Sequence, residues 1–218
     1  MKEFSKWTIN EVEEYFQVTQ IDQLSALTEW LAADVPITQP EERQLSELGA
    51  KLLRHVLDWN EEELKMKFIG FVMGLVNYDQ EQYQAFFDRS LAVRINRERL
   101  AGVVDCMIAS GRRVPKRPFF CLHEYKPEKH SSNDPLGQVL VAMIAAQLSN
   151  NDGRPIYGAY VVGRNWYFVV LDQKTYAVSL EYDATKEADL TRIFMALRFI
   201  KLMIEQELQK DERERSKQ

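Results

Sequence analysis

Three residues near the middle of the 218-residue chain have the right types and spacing for phosphodiester chemistry. Asp105 lies in the run "RLAGVVDCMIAS", and Glu124 and Lys126 end the run "PFFCLHEYK". Both runs read as strands, being short, apolar and rich in β-branched and aromatic residues. Side chains on a strand alternate between faces. Simple alternation therefore sets Phe120, Leu122, Glu124 and Lys126 on one face of the later strand. In the earlier strand it sets Val103, Asp105 and Met107 on one face and Val104, Cys106 and Ile108 on the other. The connection "GRRVPKR" makes the two strands neighbours. With matching faces, Asp105 approaches Glu124 and Lys126, while Cys106 and Cys121 share the opposite side.

Two carboxylates beside each other repel unless a cation joins them, and burying either unpaired is costly. A hard divalent ion such as Mg²⁺ takes carboxylate, carbonyl and water oxygens. Asp105 and Glu124 would supply two ligands and the Tyr125 carbonyl a third. Lys126 beside the ion would orient a water or stabilise developing negative charge. The chemistry expected is attack of water on a phosphodiester, assisted by Mg²⁺ or its substitute Mn²⁺.

Around these strands the chain alternates helical and strand segments. Residues 1–57 read as a helical N-terminal extension. Thr8 and Glu11 suit a capping box, and Pro40 suits a first helical turn. Residues 60–78, "NEEELKMKFIGFVMGLVNY", read as a fourth helix with Asn60 as its cap, and its acidic start suits the positive end of the helix dipole. Its expected core face is Leu64, Phe68, Phe71, Val72 and Leu75, and Glu61 heads that stripe. Three strand runs follow from about residue 91. The segment "DPLGQVLVAMIAAQLS", apolar on most sides, reads as a helix buried between layers. Three more strands, the first two joined by "GRN", and a long closing helix complete a domain over 58–210, with a charged tail at 211–218. The fold class is α/β, a mixed sheet flanked by helices.

The runs "VVDCMIAS" and "FFCLHEYK" resemble the split signature of the PD-(D/E)xK nuclease superfamily, with Val104 before the Asp where the pattern has Pro. The resemblance covers about residues 58–205. It implies a restriction-endonuclease-like α-βββ-α-β core, Asp105 and Glu124 as metal ligands and Lys126 as the catalytic lysine. It also implies that Gln138, on the following helix, orients groups at the site. Glu61 fits the carboxylate that completes the metal site from the first core helix. The expected substrate is a nucleic acid, DNA before RNA.

Charge is compatible with that partner. The net charge is −5, but residues 89–130 hold ten Lys and Arg against four Asp and Glu. A local basic surface can bind a polyanion on an acidic molecule. Arg164 and Trp166 at a hairpin tip, and Lys129 and His130 after the site, are further residues that could touch a phosphate backbone. No CxxC pair is present, so Cys106 and Cys121 are expected to be buried thiols. There is no Gly-rich phosphate loop. No run approaches the ~18 apolar residues of a membrane span, and the N-terminus lacks a secretory apolar region. A cytoplasmic location without membrane association is the expectation. The competing expectation is a non-catalytic protein- or nucleic-acid-binding module on the same fold. The apolar helix and aromatic hairpin would also suit a homo-oligomer.

Overall fold

The computed structural model describes residues 2–95, 98–126 and 134–215; the side chains of 98, 121–126 and 215 lie outside that description. Eight strands form one open mixed sheet in the order β1-β7-β6-β5-β4-β3-β2. They are β1 (Thr19–Gln20), β2 (Tyr83–Ile95), β3 (Glu98–Ser110), β4 (Pro118–Lys126), β5 (Ile156–Val162), β6 (Asn165–Asp172), β7 (Thr175–Val178) and β8 (Tyr182–Asp183). β4–β5 and β1–β7 are parallel and the other pairs antiparallel; β8 pairs with β6. The expected β2–β3–β4 neighbourhood is present, although β2 starts eight residues before the expected position.

Helices cover both faces. One face carries α2 (Ser25–Ala32), α3 (Gln39–His55), α4 (Glu61–Leu64), α5 (Gly70–Val76) and α7 (Glu187–Arg215). The other carries α1 (Ile9–Phe16), α6 (Pro135–Asn150) and a short 3₁₀ turn at Phe4–Lys6. The caps are those the sequence suggests. Asn60 Oδ1 accepts from the Glu63 amide at 2.9 Å, and Glu63 Oε2 accepts from the Asn60 amide at 3.1 Å. Thr8 and Glu11 pair in the same way. In α6, residues 137 to 146 are all buried, which explains why no polar face interrupts its sequence.

The N-terminal segment is more than a helical extension. Thr19 and Gln20 add a parallel edge strand to β7. Trp30 is fully buried against Phe168, Phe120 and Tyr157, and its Nε1 donates to the Ala196 carbonyl at 2.8 Å. Phe4, Trp7, Val12 and Phe16 belong to the core on the α6 side. The expected charged tail continues α7 through Arg215. Asp211 in it pairs with Arg117 at 2.8 Å and Arg154 at 2.9 Å, and Glu207, one turn earlier, also meets both.

Glu41 at the start of α3 is bound by Arg198 of α7 through both carboxylate oxygens. The Arg198 hydrogen bond holds the Glu41 carboxyl at about 2 rather than near 4.5, against the opposing effect of burial. A carboxyl whose pKa folding depresses adds stability above its unfolded value, and that stability is lost as pH falls toward the folded one. Glu41→Gln should therefore be less stable than wild type in urea at pH 7, with the gap closing between pH 4.5 and pH 2. A gap independent of pH would rule out the ion pair as its source.

A second prediction concerns Gly102 in β3. A Cβ there would overlap the Phe4 side chain. Gly102→Val should lower stability by about 1–3 kcal/mol, the usual cost of overpacking, read from denaturant midpoints. The double variant with Phe4→Ala should lose less than the two single losses combined, because the clash is removed.

Candidate functional site

The helix that begins at Asn60 is not a uniform α-helix. Between α4 and α5, residues Lys65–Ile69 form a π turn, with the Gly70 amide bonded to the Lys65 carbonyl. The extra residue advances the helix phase. Leu64, Phe68, Ile69, Val72, Met73 and Val76 are buried, whereas Phe71, expected in the core, is 56% exposed. Single π turns of this kind recur at functional sites because they re-aim one side chain.

Lys65 is the first residue of this turn. Its Nζ lies 2.8 Å from Glu61 Oε1, 3.6 Å from Glu62 Oε1 and 3.6 Å from Asp105 Oδ1. Lys65 is 19% exposed and Asp105 21%, whereas Glu61 is 36% and Glu62 76% exposed, so only the inner side of the group is shielded from water. Burial acts to lower the Lys65 pKa, but the Glu61 hydrogen bond and the charges of Asp105, Glu61 and Glu62 outweigh it and raise it. Lys65 is thus a permanent cation near neutral pH and cannot serve as a general base. Two of the residues expected at a metal, Glu61 and Asp105, converge on one positive charge from a helix and a strand. Sequence reasoning did not single out Lys65. The signal for it was its i,i+4 spacing from Glu61.

Asp105 reaches that position through a break in the strand pattern, which corrects the simple alternation. Val104 and Met107 lie in the α6-side core, whereas Cys106 and Ile108 lie in the α7-side core. Val104 and Cys106 would share a face on a regular strand. The ladder pairs Phe87 with Cys106 and Arg89 with Val104, and Asp88 between them has a φ of 48°. The kink lies where Asp105 stands and leaves Asp105 facing α4. The β3–β4 register also corrects the expected pairing of thiols: Cys106 is opposite Leu122, and Met107 is opposite Cys121.

On β4 the backbone is irregular at Glu124. His123 pairs with Tyr160 and Tyr125 with Val161, so β4 carries one residue more than β5 there. β-bulges are over-represented next to active sites, where they redirect a side chain. The side chains of Glu124, Tyr125 and Lys126 lie outside the described residues, as do residues 129 and 130. α4 packs against β4.

Gln138 is in the first turn of α6 and only 4% exposed. Its Nε2 is buried without a hydrogen-bond partner among the described residues. A buried amide left unsatisfied costs about 1–3 kcal/mol. Asp134 fixes the start of this helix: Oδ1 accepts from the Gly137 amide at 2.9 Å and Oδ2 from the Ile9 amide at 2.7 Å. α6 packs on the sheet face opposite Lys65, so Gln138 and the Glu61–Lys65–Asp105 group approach the sheet from different sides.

One other expectation resolves differently. Trp166 is fully buried, so it offers nothing to a nucleic acid. Arg164 Nε lies 3.9 Å from Asp183 Oδ2. His55 stacks on Trp59 with ring centroids 5.4 Å apart.

Mg²⁺, which the resemblance implies, fits the donor chemistry here. Asp105 and Glu61 present hard oxygen donors at one partly shielded locus whose electrostatics already favour a cation. Among the described residues no three His, Cys, Asp or Glu form a metal-binding group, so a complete ligand set would draw on β4 beyond Leu122. Among the described residues no helix is long and apolar enough to cross a membrane. No protein-family model and no curated protein matches the chain.

Proposed function

We propose that the chain is a Mg²⁺-dependent nuclease of the PD-(D/E)xK type, hydrolysing phosphodiester bonds in DNA on a restriction-endonuclease-like core. The observation that carries the reading is the convergence of Asp105 and Glu61 on one partly shielded cation position beside β4. Asp105, Glu124, the Tyr125 carbonyl and Glu61 would hold the metal. A divalent ion bound there supplies Lewis acidity and a more acidic bound water. Lys126 holds or takes the proton of the attacking water. Lys65 holds Glu61 and Asp105 together before substrate arrives. Gln138 holds a polar group at the end of β4. Incubation of the protein with supercoiled plasmid and Mg²⁺ or Mn²⁺ tests this: nicking or linearisation is expected, and intact plasmid at both metals would refute it.

The Lys65 ammonium favours a second reading on the same observation. A lysine that neutralises Glu61 and Asp105 in place of a metal would suit a non-catalytic binding module. The two readings differ for Lys65→Met. Under the nuclease reading, this variant removes the ammonium that competes with a metal at Glu61 and Asp105. Its melting temperature should rise on addition of Mg²⁺ by more than that of wild type, since a ligand that binds only the folded state stabilises it. A melting temperature indifferent to Mg²⁺ would favour the module.

A further inference from the structure

The outer halves of β2 and β3 form a two-stranded ribbon at the edge of the sheet, and its two faces differ sharply in chemistry. One face is packed: Leu91, Leu100 and Val104 are buried, and Phe4 lies on Gly102. The other face carries the cross-strand pairs Ser90–Val103, Ala92–Ala101 and Arg94–Arg99. Val103 is 52% exposed, and Ser90, Ala92, Arg94 and Arg99 are exposed. Asp105, two residues beyond Val103, continues this open face to Lys65. Six residues separate Asp105 from Arg99, about 20 Å of strand.

The arginine pair is the unexpected feature. Like charges directly opposite on one strand face repel and destabilise the pair. Among the described residues neither arginine side chain has a hydrogen-bond or ion-pair partner. Between them and Asp105 lie only small uncharged side chains, so the approach to the site is flat.

We propose that this open strip docks the sugar–phosphate backbone of duplex DNA, with Arg94 and Arg99 as positioning residues remote from the reacting bond. The location of the chemistry rests on the function proposed above; the docking surface rests on the ribbon. Charge complementarity selects a polyanion. A strip of about 20 Å matches about six phosphates of one strand, so the ligand is a polymer rather than a nucleotide. Single strands are usually held by aromatic side chains that stack on exposed bases; Ser90, Ala92, Ala101 and Val103 offer none. The choice of DNA over duplex RNA follows from the function proposed above.

The test uses the full chain and a fluorescein-labelled 24-base-pair DNA duplex, with anisotropy read in EDTA over a range of salt. Arg94→Ala with Arg99→Ala should weaken binding at least about tenfold and reduce the slope of log affinity against log salt by about 2, roughly 0.9 for each phosphate no longer neutralised. Arg94→Lys with Arg99→Lys should restore most of both. Wild type that does not bind, or an alanine variant with unchanged affinity and slope, overturns the proposal. Preference for single-stranded DNA or for duplex RNA of the same sequence, with the same arginine dependence, overturns the choice of duplex DNA. With Mn²⁺ present, the alanine variant should lose more turnover on the duplex than on bis(p-nitrophenyl) phosphate. If wild type cleaves neither substrate while the binding loss persists, the proposed activity fails and the docking surface stands.

Discussion

Asp105→Asn should reduce DNA cleavage by a factor on the order of 10²–10³ while the protein stays folded. The size follows from what the carboxylate does. Preorganised charge at a shielded site is worth several kcal/mol in the transition state, and each 1.36 kcal/mol is tenfold in rate. Asn keeps the shape and one acceptor oxygen, but removes the charge that holds Lys65 and would hold a metal. Asp105 sits at the kink opposite Asp88, outside both apolar cores, so the substitution creates no cavity. Circular dichroism and the melting curve should stay close to wild type. Lys126→Ala should abolish cleavage in the same assay with the fold again intact. Equal cleavage by Asp105→Asn and wild type would remove Asp105 from the site.

The largest stability effect belongs to a residue far from the chemistry. Trp30→Ala should cost about 3–5 kcal/mol, the range for removing a large buried aromatic. In a chain of this length that corresponds to a melting temperature lower by roughly 10 °C. Trp30 is fully buried among Phe120, Tyr157 and Phe168, and its indole N–H is the donor to Ala196 of α7. Trp30→Phe should recover part of the loss by refilling the cavity, though not the hydrogen bond. Phe120 is on β4, four residues before Glu124, so the first helices support the strand that carries the expected site. A Trp30→Ala variant that melts within a degree or two of wild type would make those helices a detachable layer.

The sheet, the buried helix and the caps were legible in the residues. Ten consecutive buried positions in α6 left a sequence with no polar stripe, and Asn60 with Glu63 announced a helix start. Asp105 near Glu61 was legible for a different reason: the resemblance puts a carboxylate from the first core helix at the site, and Glu61 heads that helix's core-facing stripe. What alternation could not show was how Asp105 gets there. A kink with positive φ at Asp88 is a cross-strand property, invisible from β3 alone. The π turn is similar. Nothing in "KMKFIG" signals an extra residue, and without it Phe71 counts as core. Trp30 was unassigned because its neighbours come from strands and a helix more than a hundred residues away in part. The bulge at Glu124 also arises from pairing with β5, which local sequence does not encode.

The most direct measurement is a crystal of the protein soaked in Mn²⁺, read by anomalous scattering. The expected result is a peak within coordination distance of an Asp105 oxygen, about 2.0–2.6 Å as for other hard cations, with Glu124 on its other side and Lys65 withdrawn from the Asp105 carboxylate. A difference map in which Lys65 stays bridged between Glu61 and Asp105, with no anomalous peak at millimolar Mn²⁺, would contradict a metal-dependent nuclease.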